Sequence, residues 1–203
     1  MTEKLTEIAS KLNRESRFDD MPRLIFITDN KTQPHPEEII TRLPSGSMVI
    51  LRDYDDDNRV NMGKALRYIC KVRNIKFFVA GDLTLALLLE ADGLHLPEYM
   101  VSEAETIKAE YPSLLLTTAA HDEKGVMVAD KLNLFAALLS PIFPTESHPE
   151  TYEDEEKTIG VHKLNGVSKA YKIPIYALGG INIKTAVKLL NTKIAGFAGI
   201  RGF

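Results

Sequence analysis

The sequence has a single cysteine, no apolar run near the length of a membrane span and no surplus of positive charge. One thiol, Cys70, forms no internal disulfide. Its place in a helical pattern gives it the part of a small buried apolar residue. A spanning helix takes about 20 predominantly apolar residues, and no such stretch occurs. Residues 1–14 are charged throughout and lack the apolar segment of a secretory leader, so a cytoplasmic location is expected. Lys and Arg number 25 against 28 Asp and Glu, a net charge of −3. That balance gives no reason to expect nucleic acid or an anionic membrane as partner. There is also no His/Cys cluster at zinc spacing and no Ser–His–Asp pattern in an obvious setting. An anionic ligand must therefore be attracted by local groups.

What is present is an ordinary soluble composition, 44% hydrophobic and 26% charged, in a chain of 203 residues, long enough for one well-buried core. Short apolar runs alternate with helical periodicity. Strands are predicted at 24–28, 48–52, 76–80, 93–96, 114–118, 135–140, 173–178 and 195–200. Helices are predicted at 36–42, 58–73, 83–88 behind an Asp82 cap, 102–110, 122–131, 161–171 and 183–190. The polar, acidic stretch 144–158 reads as a long active-site loop. Eight strands that are apolar on both faces, alternating with helices, predict an α/β fold, a (β/α)8 TIM barrel, as one domain over 1–203. The chain stops just after the eighth strand, so the last helix is expected to be missing or truncated. An N-terminal helical extension over 1–20 carries Leu5, Ile8, Ala9 and Leu12 on one face, placed to cover bare strands or the barrel floor.

In such a barrel the chemistry lies at the carboxyl ends of the strands. Two strands stop in turns of small or hydroxylated residues. One is Leu139-Ser140-Pro141-Ile142-Phe143-Pro144-Thr145-Glu146-Ser147-His148, the other Ile175-Tyr176-Ala177-Leu178-Gly179-Gly180-Ile181. Turns of this kind present N–H groups and hydroxyls to a phosphate or other anion. Gly179-Gly180 serves a close backbone approach to an anion or simply a tight turn. Arg52, at the end of an apolar strand, is either a phosphate clamp or one half of an ion pair with a rim carboxylate. His121 just past strand five is either a proton-transfer group or a satisfied rim histidine, whereas His95 inside strand four reads as an interior histidine bonded to a neighbouring carbonyl. Protonated His148 is placed to touch an anion. The acidic run 53–57 reads as a solvated face.

These residues resemble the thiamine phosphate synthase/TenI superfamily. The motifs that carry the resemblance are Thr28-Asp29, Val49-Ile50-Leu51-Arg52, Ala91-Asp92-Gly93-Leu94-His95-Leu96, Ser140-Pro141-Ile142-Phe143-Pro144-Thr145 and Ala177-Leu178-Gly179-Gly180-Ile181. The resemblance implies a synthase that joins a pyrimidine-methyl pyrophosphate to a thiazole phosphate with magnesium and releases pyrophosphate. It further implies small phosphorylated heterocyclic substrates and allows a homodimer. By position, Arg52 matches the arginine that holds the pyrophosphate. Thr145 and Ser147 match hydroxyls near the thiazole phosphate, while Gly179, Gly180, Ile200 and Arg201 match that phosphate's cradle.

Several positions depart from the family pattern. The Asn-Asp pair after strand three falls on Ala80-Gly81, which leaves Asp82, one residue late, as the candidate metal ligand. The second metal aspartate falls near Met100, and the Gly-Gln before it reads Pro97-Glu98, with Glu98 the nearest carboxylate. A lysine is replaced by Tyr54 and another by His148, and a serine by Ala119. His121 matches the acid/base histidine of TenI-type thiazole tautomerases, whose reaction needs no metal. Synthase, tautomerase and non-catalytic phosphate-binding barrel all stay open at this point.

Overall fold

The computed structural model describes residues 3–201. Within it, eight short apolar runs form parallel strands: β1 (Leu24–Ile27), β2 (Met48–Leu51), β3 (Lys76–Ala80), β4 (Gly93–Leu96), β5 (Leu115–Ala120), β6 (Ala136–Leu139), β7 (Ile175–Ala177) and β8 (Gly196–Gly199). Each pairs with the next in sequence, and β8 pairs with β1 through Leu24↔Phe197, Ile25↔Ala198 and Phe26↔Gly199, so the sheet closes into a barrel. Successive side chains of a strand point to opposite faces. In β1, Leu24 and Phe26 pack outward against the helices while Ile25 and Ile27 fill the lumen. The lumen is completed by side chains such as Met48, Ile50, Phe78, Leu138 and Tyr176.

The helices are α1 (Glu3–Glu15), α2 (Pro36–Ile40), α3 (Arg59–Arg73), α4 (Leu83–Leu88), α5 (Ala104–Glu110), α6 (Glu123–Lys131), α7 (Glu150–Glu153), α8 (Gly160–Ala170) and α9 (Ile183–Ala186). Local chemistry sets their starts. Asp82, Asp122 and Asn182 accept backbone N–H bonds as N-caps of α4, α6 and α9. Three predicted segments differ in detail. Stretch 144–158 is not bare loop, because it carries α7 and a 3-10 turn at Glu155–Lys157. The helix expected at 102–110 is preceded by a 3-10 turn over Glu98–Glu103, and the one expected at 183–190 is α9 followed by a 3-10 turn at Val187–Leu189. Several strands end one residue early, so Thr28, Arg52, Ser140 and Ile200 lie just beyond the ladders. Their side chains belong to the rim.

The N-terminal helix forms over Glu3–Glu15, shorter than the expected 1–20: residues 16–20 are turn and coil, and residues 1–2 lie outside the described residues. Leu5, Ala9 and Leu12 are buried, and α1 packs on β8 and α9. No helix follows β8 among the described residues, and α1 covers the apolar outer face of that strand instead. Asn13 is buried and donates through Nδ2 to the carbonyls of Ala195 at 2.8 Å, Phe18 at 3.0 Å and Met21 at 3.2 Å. The chain then crosses the barrel floor, where Phe18 and Met21 pack on the lumen residues. There the Tyr176 hydroxyl donates to the Pro22 carbonyl at 2.5 Å. One amide thus ties the leader, the floor and the last strand together. No helix among the described residues is long and apolar enough to cross a membrane.

Leu12→Ala, at a fully buried position, is expected to cost about 2–5 kcal/mol of unfolding free energy. Asn13→Ala, which strands buried carbonyls, is expected to cost about 1–3 kcal/mol. Urea denaturation measures both, and losses within error of zero would show that α1 does not support β8.

Candidate active site

Because the strands are parallel and the barrel is closed, all eight carboxyl ends open on one mouth. A cavity of about 740 Å³ lies there, of the size that takes a small-molecule ligand. Its floor is apolar, with Ile27, Ile50, Leu178 and Ala198 on the wall. Arg52 and His121 line it from β2 and β5. Thr145, Ser147 and His148 line it from the β6 loop, and Gly179, Gly180, Ile200 and Arg201 from the ends of β7 and β8. Nine of the ten residues picked out from sequence therefore share one cavity. Asp82 does not reach it. Its Oδ1 accepts from the Leu85 N–H at 2.8 Å as the cap of α4, and its Oδ2 lies 3.7 Å from Arg59 Nη1.

The β2 end is built on a knot of side chains. Thr28 donates its hydroxyl to Asp53 and accepts the Arg52 N–H at 3.0 Å. Asp53 also accepts the Asn30 N–H at 2.6 Å, and Asp56 accepts the Asn30 amide. Two carboxylates of the acidic run are thus anchors for the β1 loop, not a merely solvated face. Arg52 donates to Asp29 Oδ2 at 2.5 Å; both side chains remain partly exposed, and Arg52 lines the cavity. The ion-pair reading of Arg52 is met, with Asp29 as the rim carboxylate, and the same side chain lines the cavity.

The β6 loop is drawn into a tight turn around a buried hydroxyl. Thr151 accepts the Thr145 N–H at 3.0 Å and donates to the His148 carbonyl at 2.6 Å, while the His148 N–H reaches the Thr145 carbonyl at 3.0 Å. Glu146 points to Arg201, with Oε2 at 2.6 Å from Nη1. His148 Nδ1 lies 3.4 Å from Glu150. The glycine pair has a structural duty beside any ligand role. Gly179 and Gly180 take φ of +93° and +67°, and a Cβ on Gly180 would lie 2.4 Å from the Pro144 carbonyl oxygen. Loop 6 rests directly on this pair.

His121 Nδ1 lies 3.1 Å from the Ser140 carbonyl oxygen. A carbonyl only accepts, so Nδ1 carries the proton and Nε2 keeps its lone pair in the neutral ring. His95 also lines the cavity, a buried ring whose Nδ1 is 3.0 Å from Thr117 Oγ1. Its partner is a hydroxyl where a carbonyl was expected. Burial pushes its pKa down to about 4, so the ring is neutral near pH 7.

Sequence reasoning missed three groups. Tyr99 and Tyr152 line the cavity, although Tyr99 follows Pro97-Glu98 and Tyr152 lies in the loop expected at the active site. Arg59 is hidden in the apolar pattern of α3. It is buried, donates to the carbonyls of Ala80 at 2.6 Å and Leu51 at 3.3 Å, and sits 5.4 Å from the Tyr54 ring centroid. An arginine at the first position of a helix that follows a strand is the one signal that pointed there. Tyr54 itself has its phenol pKa raised, by burial first and then by nearby Tyr99, against the opposing pull of Arg52 and Arg59.

Comparison with known proteins agrees with this architecture. A family profile described as thiamine monophosphate synthase matches residues 24–203. A relative in Aquifex aeolicus, provisionally named thiamine-phosphate synthase 2, is 33% identical over 189 residues, covering 91% of this chain and 98% of its own. The thiamine-phosphate synthase of Pyrococcus furiosus is 28% identical, covering 87% of this chain and 84% of its own. The solved thiamine phosphate pyrophosphorylase of Pyrococcus furiosus superposes with a TM-score of 0.73 at 26% identity, over 95% of this chain and 87% of that one.

The depressed His95 pKa has a stability consequence. Between its usual 6.5 and the folded value of about 4, the unfolded chain binds the proton and the folded protein does not. Stability held above about pH 6.5 is therefore lost as pH falls through that window. His95→Gln is expected to flatten the decline in unfolding free energy between these limits, read by urea titrations at several pH values. An unchanged slope would contradict a buried neutral imidazole.

Proposed function

The chain belongs to the thiamine monophosphate synthase family, and we propose that it acts in thiamine biosynthesis as a transferase. The reaction joins a pyrimidine-methyl pyrophosphate to a thiazole phosphate. The observation that carries this reading is the shared cavity, lined by Arg52 from the end of β2 and by Arg201, Thr145, Ser147 and the glycine pair from the ends of β6 to β8. Two phosphorylated substrates need two points of positive charge facing one volume, and Arg52 and Arg201 both line it.

In the reaction the bond from the pyrimidine methylene to the pyrophosphate oxygen breaks, and its electron pair leaves with the pyrophosphate. The thiazole nitrogen then donates its lone pair to the methylene carbon to form the new C–N bond. Arg52 holds the departing anion by paired N–H donors. Arg201, the two hydroxyls and the turn at Gly179-Gly180 hold the thiazole phosphate. The apolar floor keeps water from the cationic carbon, where it would compete with the thiazole. Each arginine rests on a carboxylate, Asp29 or Glu146, so an entering phosphate exchanges for a carboxylate.

Magnesium is implied by the family resemblance, but the residues here do not form its ligand set. Asp82 is committed to the α4 cap and to Arg59. Among the described residues no three His, Cys, Asp or Glu side chains are arranged to hold an ion. No step is assigned to a metal.

The second reading, a thiazole tautomerase, draws on His121. With Nδ1 on the Ser140 carbonyl, Nε2 is the basic atom, suited to move a proton on a thiazole phosphate without a metal.

Incubation with both substrates is expected to release pyrophosphate and form thiamine phosphate. Arg52→Ala is expected to lower kcat/KM about a hundredfold, with a smaller effect of His121→Ala. Isomerisation of thiazole phosphate alone, abolished in His121→Ala, would establish the tautomerase instead. Thermal stabilisation by thiazole phosphate without turnover of either kind would rule out both.

A further inference from the structure

The β2–β4 side of the cavity has a construction of its own. The position where the family carries its first metal aspartate is Gly81, at the end of β3. Gly81 has φ of +66°, and a Cβ added there would meet Tyr54 Cε1 at 3.0 Å and Pro97 Cγ at 3.5 Å. Tyr54, where the family has a lysine, thus lies over the ground from which a metal-binding side chain would rise. The ring is fixed from behind by the buried Arg59 guanidinium, 5.4 Å from its centroid. Arg59 in turn is held by the Leu51 and Ala80 carbonyls and faces Asp82 at 3.7 Å. The next carboxylate along the chain is therefore neutralised by a cation already built into the protein.

The cavity side of this assembly is aromatic. Tyr54 is 48% exposed and Tyr99 79% exposed, and both line the cavity together with Pro97 and Glu98. Large exposed aromatic faces beside an apolar pocket favour stacking of a flat ring. The Glu98 carboxylate accepts hydrogen bonds only, which suits a ring amino group and repels a pyrophosphate. A metal-bound diphosphate would meet two phenols and a carboxylate here, with Arg52 as the one cation on this wall among the described residues.

We propose that this chain binds no magnesium ion at the β3 end of its cavity, and that Tyr54 and Tyr99 stand there in place of metal ligands as a stacking wall for a flat ring. The identity of that ring as the pyrimidine rests on the transferase reading. The absence of a metal site rests on Tyr54, Gly81, Arg59 and Asp82 alone.

The test uses binding, so it does not depend on turnover. Manganese(II), the spin probe for magnesium, is titrated into the wild-type and Asp82→Asn proteins and followed by electron paramagnetic resonance; asparagine caps a helix as aspartate does. In parallel, calorimetry follows the uncharged hydroxymethyl form of the aminopyrimidine in wild type, Tyr54→Phe and Tyr54→Ala. The same method follows inorganic pyrophosphate with and without magnesium. Expected are only weak manganese binding, in the millimolar range and equal in the two proteins, and ring binding that Tyr54→Phe keeps and Tyr54→Ala weakens about tenfold. Pyrophosphate binding is expected to gain nothing from magnesium, which withdraws the free anion as a complex in solution. A micromolar manganese site lost in Asp82→Asn, or pyrophosphate affinity that rises with magnesium, would overturn the metal half. Failure of the ring to bind, or equal binding to Tyr54→Ala, would overturn the other. A protein that binds the ring as expected but makes no thiamine phosphate would leave this inference standing and remove the transferase reading.

Discussion

Pairing of β8 with β1 is the constraint on which the rest of the molecule depends. An open sheet of the same eight strands would spread its carboxyl ends along a line. Closure bends them into a ring and brings Arg52 and Arg201, 149 positions apart, to one cavity. The closing strand has little of its own to hold it. It is built on Gly196, Phe197, Ala198 and Gly199, and small residues bury little area. Its support comes from outside, through the apolar face of α1 and the Asn13 amide, which joins the start of the chain to the residue just before β8.

At the rim, the governing chemistry is that of cations that already have partners. Arg52, Arg59 and Arg201 each face a carboxylate, Asp29, Asp82 and Glu146 respectively. Their settings differ. Arg59 is buried and structural, fastening the ends of β2 and β3, whereas Arg52 and Arg201 are partly solvated and line the cavity. Exposed pairs contribute little to stability, so the latter two can give up their carboxylates to a phosphate at small cost to the fold. In this way a protein of net negative charge carries two arginines at its cavity without leaving bare positive charge at its mouth.

Much of this was legible in the sequence because a parallel barrel writes a regular code. Doubly apolar runs such as Met48–Leu51 and Ala136–Leu139, helical periodicity between them, and caps at Asp82 and Asp122 gave the order of elements. The residue just after each strand gave the rim. What could not be read was pairing across the rim. Nothing in the run of aspartates at 53–57 says that Asp53 reaches back to Thr28 while Arg52 turns to Asp29. Nor does the helical pattern at 58–73 say that Arg59 reaches the carbonyls of Leu51 and Ala80. Thr151 sits in a segment that reads as polar loop, yet its hydroxyl organises the turn that presents Thr145 and Ser147. Each is a contact fixed by three-dimensional closure, not by local propensity.

The central claim is that the ends of β6, β7 and β8 form one seat for a substrate phosphate. The most direct measurement is a crystal structure of the protein with thiazole phosphate bound. The phosphate is expected against the Gly179-Gly180 turn, with Arg201 drawn off Glu146 onto the phosphate oxygens and the thiazole ring facing the cavity side of His121. A phosphate bound elsewhere, with the Arg201–Glu146 pair intact, would contradict it.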